Sequence, residues 1–349
     1  MADDHEQTAM RRALAAARDA VHTALPNPRV GCVILDPSGA VIAVGAHRGA
    51  GTPHAEVDAL THAGEAARGA TVVVTQEPCD HTGRTGPCSE ALIAAGVVRV
   101  VYGMDDPNPI GAGGADRLRT AGVDVEGGVL AHEAEALNTA WAHAVRTGRP
   151  FVTWKFAATL DGRSAAADGT SRWITGSAAR LDVQRLRSVC DAIVVGTGTV
   201  ITDDPRLTLR DDEDAPLPYD EQPARVVIGE RSVPADARVR DDEAPFLHLP
   251  TRDVDDAMAA LAEREIRHVW LEGGPVLAGA FIAAGLVDEV VAYLAPALLG
   301  AGPNALRGTG IDTIADTVRL DVTDITRIGP DLRLTARPQR AGSTRKEGA

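Results

Sequence analysis

The sequence predicts an α/β protein built from two successive domains. Its 349 residues are enough for two domains of ordinary size. Strand-like and helix-like segments alternate along the chain, and this alternation begins a second time after residue 150. Alternation of this kind is typical of parallel strand pairing and a layered α/β sandwich. Because aromatic residues make up only 3% of the chain, both cores must consist mainly of Ala, Val, Leu and Ile.

The first half opens with an Ala-rich segment, 6–22, that predicts a helix. Two strand-like runs, 30–36 and 40–47, are joined by Pro37-Ser38-Gly39, which predicts a hairpin. The remaining predicted helices are 56–67, 89–95, 115–121 and 130–146, and the remaining predicted strands are 71–75, 97–102 and 123–125. Glycines after several helices, Gly96 and Gly122 among them, are typical of helix ends.

The second half repeats the α/β pattern after a turn-rich break at 147–150. We therefore predict a first domain over 1–146, a linker over 147–150 and a second domain over 151–336. Its predicted strands are 151–158, 192–196, 225–228, 246–249, 268–271 and 289–294, its helices are 177–189, 253–264 and 276–284, and 318–322 with 332–336 predict a closing antiparallel pair. An acidic, Pro-rich stretch at 211–221 predicts a surface loop, and the polar tail 337–349 predicts disorder.

Charge and cysteine content narrow the class of protein. The formal net charge of −14 opposes nucleic-acid binding and suits an enzyme acting on small molecules. No apolar run approaches the roughly 20 residues of a membrane span, and the acidic N-terminus does not resemble a signal peptide. Four cysteines do not make a disulfide framework in a chain of this length. We expect a cytoplasmic protein in which Cys32 and Cys190 are buried small hydrophobic residues.

The motif His54-Ala55-Glu56, followed by Pro78-Cys79 and Pro87-Cys88, predicts a zinc site. Its one imidazole and two thiolates are three ligands suited to zinc, and a catalytic zinc site keeps its fourth position for water. Zinc nucleobase deaminases carry His-x-Glu followed by Pro-Cys-x-x-Cys, with the Glu as proton carrier. Here eight residues separate the two cysteines. A closed structural site with His81 as fourth ligand is the alternative, but it leaves the spacing of Glu56 unexplained.

The chemistry expected of this site follows from the residue types. Zinc lowers the pKa of a bound water toward neutrality. Glu56 would accept a proton from that water and return it to the departing ammonia. Cys88 stands at the start of a predicted helix, where a thiolate is favoured over a thiol.

Further motifs of the first half accompany the zinc ligands. They are Asn27-Pro28-Arg29-Val30-Gly31, Gly45-Ala46-His47, Glu77-Pro78-Cys79-Asp80-His81-Thr82-Gly83-Arg84-Thr85-Gly86-Pro87-Cys88 and Asp106-Pro107-Asn108-Pro109. Together they resemble the bifunctional deaminase–reductase family of riboflavin biosynthesis. That family more often has Pro where Gly86 stands. The resemblance implies a cytidine-deaminase-like three-layer sandwich that removes the 2-amino group of a phosphoribosylated diaminopyrimidinone. It also implies that Asn27 and His47 hold the ring and that Arg84 binds the phosphate.

The second half lacks the Gly-x-Gly-x-x-Gly fingerprint of a Rossmann domain, but Glu272-Gly273-Gly274-Pro275 opens a predicted helix, where backbone N–H groups can bind phosphate. Three longer stretches, 155–162, 171–175 and 199–208, resemble the reductase domain of the same family, which is similar to dihydrofolate reductase and uses NADPH. The resemblance implies that the cofactor contacts Ala157, Trp173, Thr199, Asp203, Gly273, Gly274 and Pro275. It implies that the substrate contacts Ser171, Arg187, Leu207, Arg210 and Glu272, with the two arginines near its phosphate. Lys155 and Asp203 are candidate proton donors for the reduction.

The sequence therefore predicts a bifunctional enzyme that deaminates first and then reduces the ribosyl group to a ribityl chain. Three alternatives remain. The second domain could have lost its activity, or the chain could edit nucleic-acid bases. In the third alternative, the protein is not an enzyme but a binding protein whose zinc is purely structural. Retention of the Asp203 and Glu272-Gly273-Gly274 motifs opposes the first, and the net charge of −14 opposes the second. We expect zinc and NADPH as cofactors, a small-molecule substrate, a homo-oligomer, and no nucleic-acid or membrane partner.

Overall fold

The structure, a computed structural model, describes residues 1–20, 26–82, 86–211 and 213–339. It divides the chain into two compact units, Met1–Arg149 and Pro150–Ala349. Each unit has its own sheet and its own hydrophobic cores. Among the described residues, no helix combines the length and the apolar character needed to cross a bilayer.

The first unit contains a five-stranded sheet with helices on both faces. Its strands are β1 Gly31–Leu35, β2 Val41–Ala46, β3 Thr71–Gln76, β4 Arg99–Met104 and β5 Asp124–Glu126, in the order β2-β1-β3-β4-β5. Its helices are α1 Asp4–Asp19, α2 Ala55–Ala63, α3 Cys88–Ala95, α4 Gly114–Thr120, α5 Ala131–Leu137 and α6 Thr139–Thr147. The predicted hairpin makes β1 antiparallel to β2, and β1 is also antiparallel to β3. Parallel pairing is therefore confined to β3, β4 and β5.

Strand β1 shows why the first unit has three layers. Its five residues are all buried, so both faces of the sheet are covered. Because side chains alternate along a strand, Cys32 and Ile34 face a core with α2, α3 and α4, while Val33 and Leu35 face a core with α1 and α5. The expected burial of Cys32 is confirmed by an exposure of 0%.

The helix predicted over 130–146 is wrong as a single element. It is interrupted at Asn138, between α5 and α6. The Asn138 amide pairs with the backbone of Arg29, accepting a hydrogen bond from its N–H and donating one to its carbonyl, each at 2.9 Å. Asparagine side chains compete with helical hydrogen bonding in this way, so a buried tertiary contact ends the first helix.

The second unit contains an eight-stranded sheet. Its strands are β6 Phe151–Thr159, β7 Ala192–Gly196, β8 Ala224–Ile228, β9 Phe246–Leu249, β10 His268–Leu271, β11 Glu289–Ala295, β12 Leu320–Ile328 and β13 Asp331–Pro338, in the order β12-β13-β11-β6-β10-β7-β8-β9. Its helices are α7 Ser177–Arg187, α8 Thr197–Asp203, α9 Val254–Ala262 and α10 Pro275–Ala283. The six strands from β11 to β9 are parallel, and β13 and β12 add an antiparallel edge.

Three details of the second unit differ from the sequence prediction. Helix α8 was not predicted, because its segment has β-branched residues and glycine that disfavour helices. The closing antiparallel pair is present but longer on both strands than expected. Strand β13 also runs through Pro338, so the predicted disorder from residue 337 is wrong at its start. Residues 340–349 of that tail lie outside the described residues.

Candidate active sites of the two units

His54, Cys79 and Cys88 form a cluster suited to one metal ion. Their ligand atoms all lie within 4.8 Å of one another. The His54 Nδ1 atom is 3.4 Å from the Cys79 sulfur and 3.3 Å from the Cys88 sulfur. One imidazole and two thiolates in this proximity are a donor set that zinc accepts. His81 is not a member of the cluster, which among the described residues opposes the closed four-ligand alternative.

The fold brings the three ligands together from separate elements. His54 is the N-cap of α2, Cys79 follows β3, and Cys88 is the first residue of α3. The first turn of α2 packs closely on β2, because Gly45 has no Cβ; a Cβ there would lie 2.4 Å from the carbonyl oxygen of Ala55. The two cysteine segments are also linked, since the backbone N–H of Ser89 donates to the Cys79 carbonyl at 3.2 Å.

The two thiols are electrostatically unequal. Hydrogen bonds from the Cys88 thiol and the His54 imidazole lower the pKa of Cys79 to about 4, against the opposing effect of burial. Donation to Cys79, together with burial, raises the pKa of Cys88. The helix N-terminus led us to expect a thiolate at Cys88, but its hydrogen bond to Cys79 and its burial act in the opposite direction. Metal binding requires both thiols to lose their protons.

Glu56 is a buried carboxylate beside the cluster. It is the second residue of α2 and is only 4% exposed. Burial, and to a lesser extent the negative charge of Cys79, raises the pKa of Glu56 to about 7. A carboxylate with a pKa in this range can both take up and release a proton near neutral pH.

Asn27 and His47 form a pair next to the cluster. The Asn27 Nδ2 and His47 Nε2 atoms are 2.9 Å apart, and His47 Nδ1 is 3.0 Å from the Pro53 carbonyl oxygen. Because a carbonyl only accepts, the proton of a neutral His47 is on Nδ1, and Nε2 accepts from the Asn27 amide. Burial lowers the pKa of His47, which favours this neutral form. The His47 and His54 rings meet edge to face at 5.3 Å. Arg84, the predicted phosphate ligand, lies outside the described residues.

Glu77 supports the same site and was missed as a functional residue. Its carboxylate accepts backbone hydrogen bonds from Asp106 at 3.3 Å, Gly113 at 3.2 Å and Ala115 at 3.1 Å. It thereby fastens the loop after β4 next to the segment that carries Cys79. Its position two residues before a metal ligand, at the start of the motif 77–88, is the sequence signal that could have indicated this role.

In the second unit, one cavity of about 690 Å³ is lined by every cofactor, substrate and proton-donor residue predicted for this unit. It opens beside the carboxyl ends of β7 and β10, where parallel sheets place their ligands. The predicted residues among its lining are Lys155, Ala157, Ser171, Trp173, Arg187, Thr199, Asp203, Leu207, Arg210, Glu272, Gly273, Gly274 and Pro275. Residues from widely separated parts of the chain thus converge on one site.

A buried ion pair organises the interior of this cavity. Arg187 donates to both carboxylate oxygens of Glu272, with 2.8 Å between Nε and Oε1, and the Trp270 indole donates to the same carboxylate. The positive charges of Arg187 and Lys155, with these hydrogen bonds, lower the pKa of Glu272 to about 2 despite burial. The Arg187 guanidinium is therefore bound to a carboxylate, and its expected place near the substrate phosphate stays a prediction. Trp270 has no motif that could have revealed its part in this pair.

Lys155 and Arg210, the other two predicted basic residues of the cavity, have distinct surroundings. Lys155 is half-buried, with its Nζ 6.0 Å from the centroid of the Tyr293 ring. Burial lowers the pKa of Lys155, while the charge of Glu272 opposes that effect. Arg210 donates to the Asp214 carbonyl, and its Nη2 lies 3.9 Å from Glu243.

A second cavity, of about 660 Å³, adjoins the first and shares Thr199, Thr202, Asp203, Gly274 and Pro275 with it. It extends along the ends of β7, β8 and β9. Four glycines line it, Gly196, Gly198, Gly229 and Gly274, and together they form what we call the glycine floor. A Cβ at Gly274 would meet only the Thr199 hydroxyl, at 3.6 Å. Gly274 is also the N-cap of α10, whose first backbone N–H groups receive no side-chain cap. An open glycine floor at an uncapped helix start fits the phosphates of a dinucleotide.

Comparisons with known proteins also divide the chain into two parts, one for each structural unit. Residues 3–104 match the cytidine and deoxycytidylate deaminase zinc-binding region, and residues 150–334 match the RibD C-terminal domain. The riboflavin biosynthesis protein RibD of Mycobacterium tuberculosis is 49% identical, with 90% of this chain and 91% of that protein covered. For RibD of Escherichia coli the identity is 43%, with coverage of 93% and 97%.

Solved structures give the same result. The structure of Acinetobacter baumannii RibD is similar, with a TM-score of 0.88, 38% identity, and coverage of 96% of this chain and 99% of that one. A diaminohydroxyphosphoribosylaminopyrimidine deaminase/5-amino-6-(5-phosphoribosylamino)uracil reductase from Thermotoga maritima has a TM-score of 0.87 and 32% identity, with the same coverage.

The two units thus define a fused enzyme in which a zinc-type deaminase fold precedes a reductase fold, and the predicted fold class is confirmed. The chain belongs to the RibD family of riboflavin biosynthesis proteins. It is accordingly a bifunctional deaminase–reductase of that pathway.

Proposed function

We propose that the first unit hydrolyses the 2-amino group of 2,5-diamino-6-(5-phosphoribosylamino)pyrimidin-4-one, releasing ammonia. The observation that carries this proposal is a cluster of His54, Cys79 and Cys88 with the buried carboxylate of Glu56 beside it. The name of the similar Thermotoga maritima protein supports the substrate.

In this proposal, His54, Cys79 and Cys88 hold one zinc ion, and Glu56 remains unligated. When bound, zinc supplies Lewis acidity that makes a water molecule acidic near neutral pH. Glu56 takes up the proton of that water and later delivers it to the departing amino group. Burial raises the pKa of Glu56, which favours uptake of that proton.

Asn27 and His47 would position the pyrimidine ring. The Asn27 amide nitrogen contacts His47, and among the described residues its amide oxygen has no hydrogen-bond partner, so this oxygen can accept a hydrogen bond from the substrate. His47 is in turn held by Pro53, which fixes the orientation of both side chains. Arg84 remains our proposal for the phosphate ligand.

We propose that the second unit reduces the deaminated product with NADPH, which supplies a hydride to carbon 1 of the opened ribose. The glycine floor with Trp173, Thr199 and Asp203 would hold the cofactor, next to Ala157 and the Gly273-Gly274-Pro275 turn. Ser171, Leu207, Arg210 and the Glu272–Arg187 pair would face the substrate. Within that pair, Arg187 fixes the Glu272 carboxylate for hydrogen bonding to substrate hydroxyls, and Arg187 and Arg210 are our candidates near the phosphate.

Lys155 is our candidate for the proton needed in the reduction. Burial favours loss of its proton, so the ammonium form is a stronger acid there than in water. An inactive reductase-like domain is less well supported, because all thirteen predicted residues line one cavity.

We further propose a homo-oligomer formed through the second unit. Strand β12 is the edge of the eight-stranded sheet, and it exposes Leu320, Val322 and Ile325. An open sheet edge with apolar side chains favours pairing with another strand, and a second copy supplies one of matching pattern.

The experiment that tests the two activities uses the purified full chain and the diaminopyrimidinone substrate. We expect ammonia release without NADPH, and equimolar NADPH oxidation once it is added. Cys88→Ser should lower the zinc content and ammonia release together, whereas the control Cys190→Ser should retain both. Full zinc occupancy in Cys88→Ser, or ammonia release without metal, would contradict the proposed centre.

A further inference from the structure

The cavity at the ends of β7, β8 and β9 has an unusual arrangement of charges on its lining. Glu230 and Arg231 follow β8, and Arg252 follows β9. The Arg252 Nε atom lies 2.8 Å from the Glu230 carboxylate, and both side chains are exposed. All three residues line the cavity proposed for the dinucleotide.

Arg231 differs from Arg252 in its contacts. Among the described residues, Arg231 forms no hydrogen bond or ion pair, and its Nη2 lies 3.1 Å from where a Cβ on Gly198 would stand. Its guanidinium therefore lies above the glycine floor of the cavity, where it is available to an anion. A guanidinium offers paired donors that match a phosphate group.

Such charges decide between the two nicotinamide cofactors. In Rossmann folds, an acidic residue hydrogen-bonds the ribose 2′-hydroxyl of NADH, while an arginine accommodates the 2′-phosphate of NADPH. This unit lacks the Rossmann fingerprint, so here the discrimination rests on the charges themselves. A phosphate monoester carries nearly two negative charges at neutral pH, so an unpaired carboxylate nearby would repel it. This chain has both types of residue at one site, which makes the ion pair the deciding feature.

We propose that Arg231 binds the 2′-phosphate and that Arg252 neutralises Glu230, so that the Glu230–Arg252 pair sets the preference for NADPH over NADH. The inference rests on the proposed function, in which a nicotinamide cofactor occupies this cavity. With the pair intact, the three side chains carry one net positive charge, supplied by Arg231. Without Arg252 the net charge is zero, and the carboxylate of Glu230 stands unpaired beside the phosphate.

Direct binding of two cofactor fragments tests the proposal without any turnover. Adenosine 2′,5′-bisphosphate carries the 2′-phosphate and AMP does not, and calorimetry on the full chain gives a Kd for each. We expect Arg231→Ala to weaken the bisphosphate by about tenfold or more and to leave AMP nearly unchanged. Arg252→Ala should weaken the bisphosphate by roughly three- to tenfold, because it exposes the charge of Glu230. The exposed, ion-paired control Arg119→Ala should change neither Kd.

The double variant separates neutralisation from direct contact. If Arg252 acts through Glu230, then Glu230→Gln should restore bisphosphate binding to the Arg252→Ala protein. If Arg252→Ala is equally damaging with Gln at position 230, then Arg252 contacts the phosphate itself and the proposal is wrong. Equal binding of both fragments by every variant would also overturn it. Failure of the wild-type protein to bind either fragment would reject the cofactor assignment as well.

Discussion

At the residue scale, the two active sites use buried charge in opposite ways. Glu56 has few favourable contacts for its charged form, so burial raises its pKa to about 7 and leaves it able to exchange a proton. Glu272 is also buried, but Arg187, Lys155 and Trp270 lower its pKa to about 2 and keep it ionised. The first arrangement suits a proton carrier, and the second suits a fixed hydrogen-bond acceptor.

The Glu272–Arg187 pair leads to a prediction about stability. Glu272→Gln leaves the Arg187 charge without a partner in a buried place, so the free energy of unfolding should fall by on the order of 3 kcal/mol. The folded pKa of about 2 is below the value near 4.3 of an unfolded glutamate. The stabilisation from Glu272 is therefore complete above about pH 5 and is lost as the pH falls toward 2.

The difference in stability between wild type and Glu272→Gln should accordingly shrink as the pH falls from 6 to 3. Urea unfolding followed by tryptophan fluorescence measures it, because three of the four tryptophans, Trp154, Trp173 and Trp270, are in the second unit. The exposed Glu263→Gln serves as control and should behave as wild type at each pH. A difference that stays constant over this range would show that the charge of Glu272 does not stabilise the fold.

At the scale of elements, the sequence predicted the strands well. It did not predict the features that depend on distant contacts, such as the end of a helix at Asn138. Periodic and β-branched runs identified the strands, since burial on a sheet depends mainly on local pattern. The break at Asn138 could not be predicted, because it depends on the backbone of Arg29, which is 109 residues away. Helix α8 was missed for a related reason, since its position after β7 decides its conformation against a weak local propensity.

In the candidate sites, too, residues with a local sequence pattern were predicted and residues defined by distant contacts were missed. The metal ligands and Glu56 were identified from spacing and chemistry alone, because few other patterns place these residue types together. The residues of the second cavity came from the resemblance to a family, since isolated serines, arginines and glycines carry little local signal. Glu77 and Trp270 were missed, because their roles consist of contacts with backbone or with another side chain.

The edge strand β12 provides a prediction about assembly. Ile325 is 63% exposed on this strand, and a lysine in its place would carry a charge into any strand-to-strand contact. We expect Ile325→Lys to shift the protein toward the monomer, as measured by sedimentation velocity over a range of concentrations. Val98→Lys, at an exposed apolar position in the first unit, is the control and should leave the mass unchanged. A wild-type protein that is monomeric at micromolar concentration would contradict the proposal.

At the scale of the whole molecule, one chain carries two chemistries, and each unit has its own hydrophobic cores. The cores of the first unit use only residues before 149, and those of the second use only residues after 150. The proposed deaminase residues all belong to the first unit and the proposed reductase residues to the second. A substitution that stops one reaction should therefore leave the folding and the ligands of the other unaffected.

Glu56→Gln tests this independence. The amide keeps the shape of the side chain and leaves all three metal ligands in place, but it cannot carry the proton, so zinc content should be retained. Ammonia release should fall by at least a hundredfold, in line with the loss of general acid–base catalysis. Because the second unit contains none of these groups, the variant should still oxidise NADPH at the wild-type rate when it is given the deaminated intermediate. With the original diamino substrate, NADPH oxidation should fall together with ammonia release.

The control Glu65→Gln, at an exposed position after α2, should retain both reactions. Loss of reduction on the supplied intermediate by a folded, zinc-loaded Glu56→Gln protein would show that the two activities depend on each other.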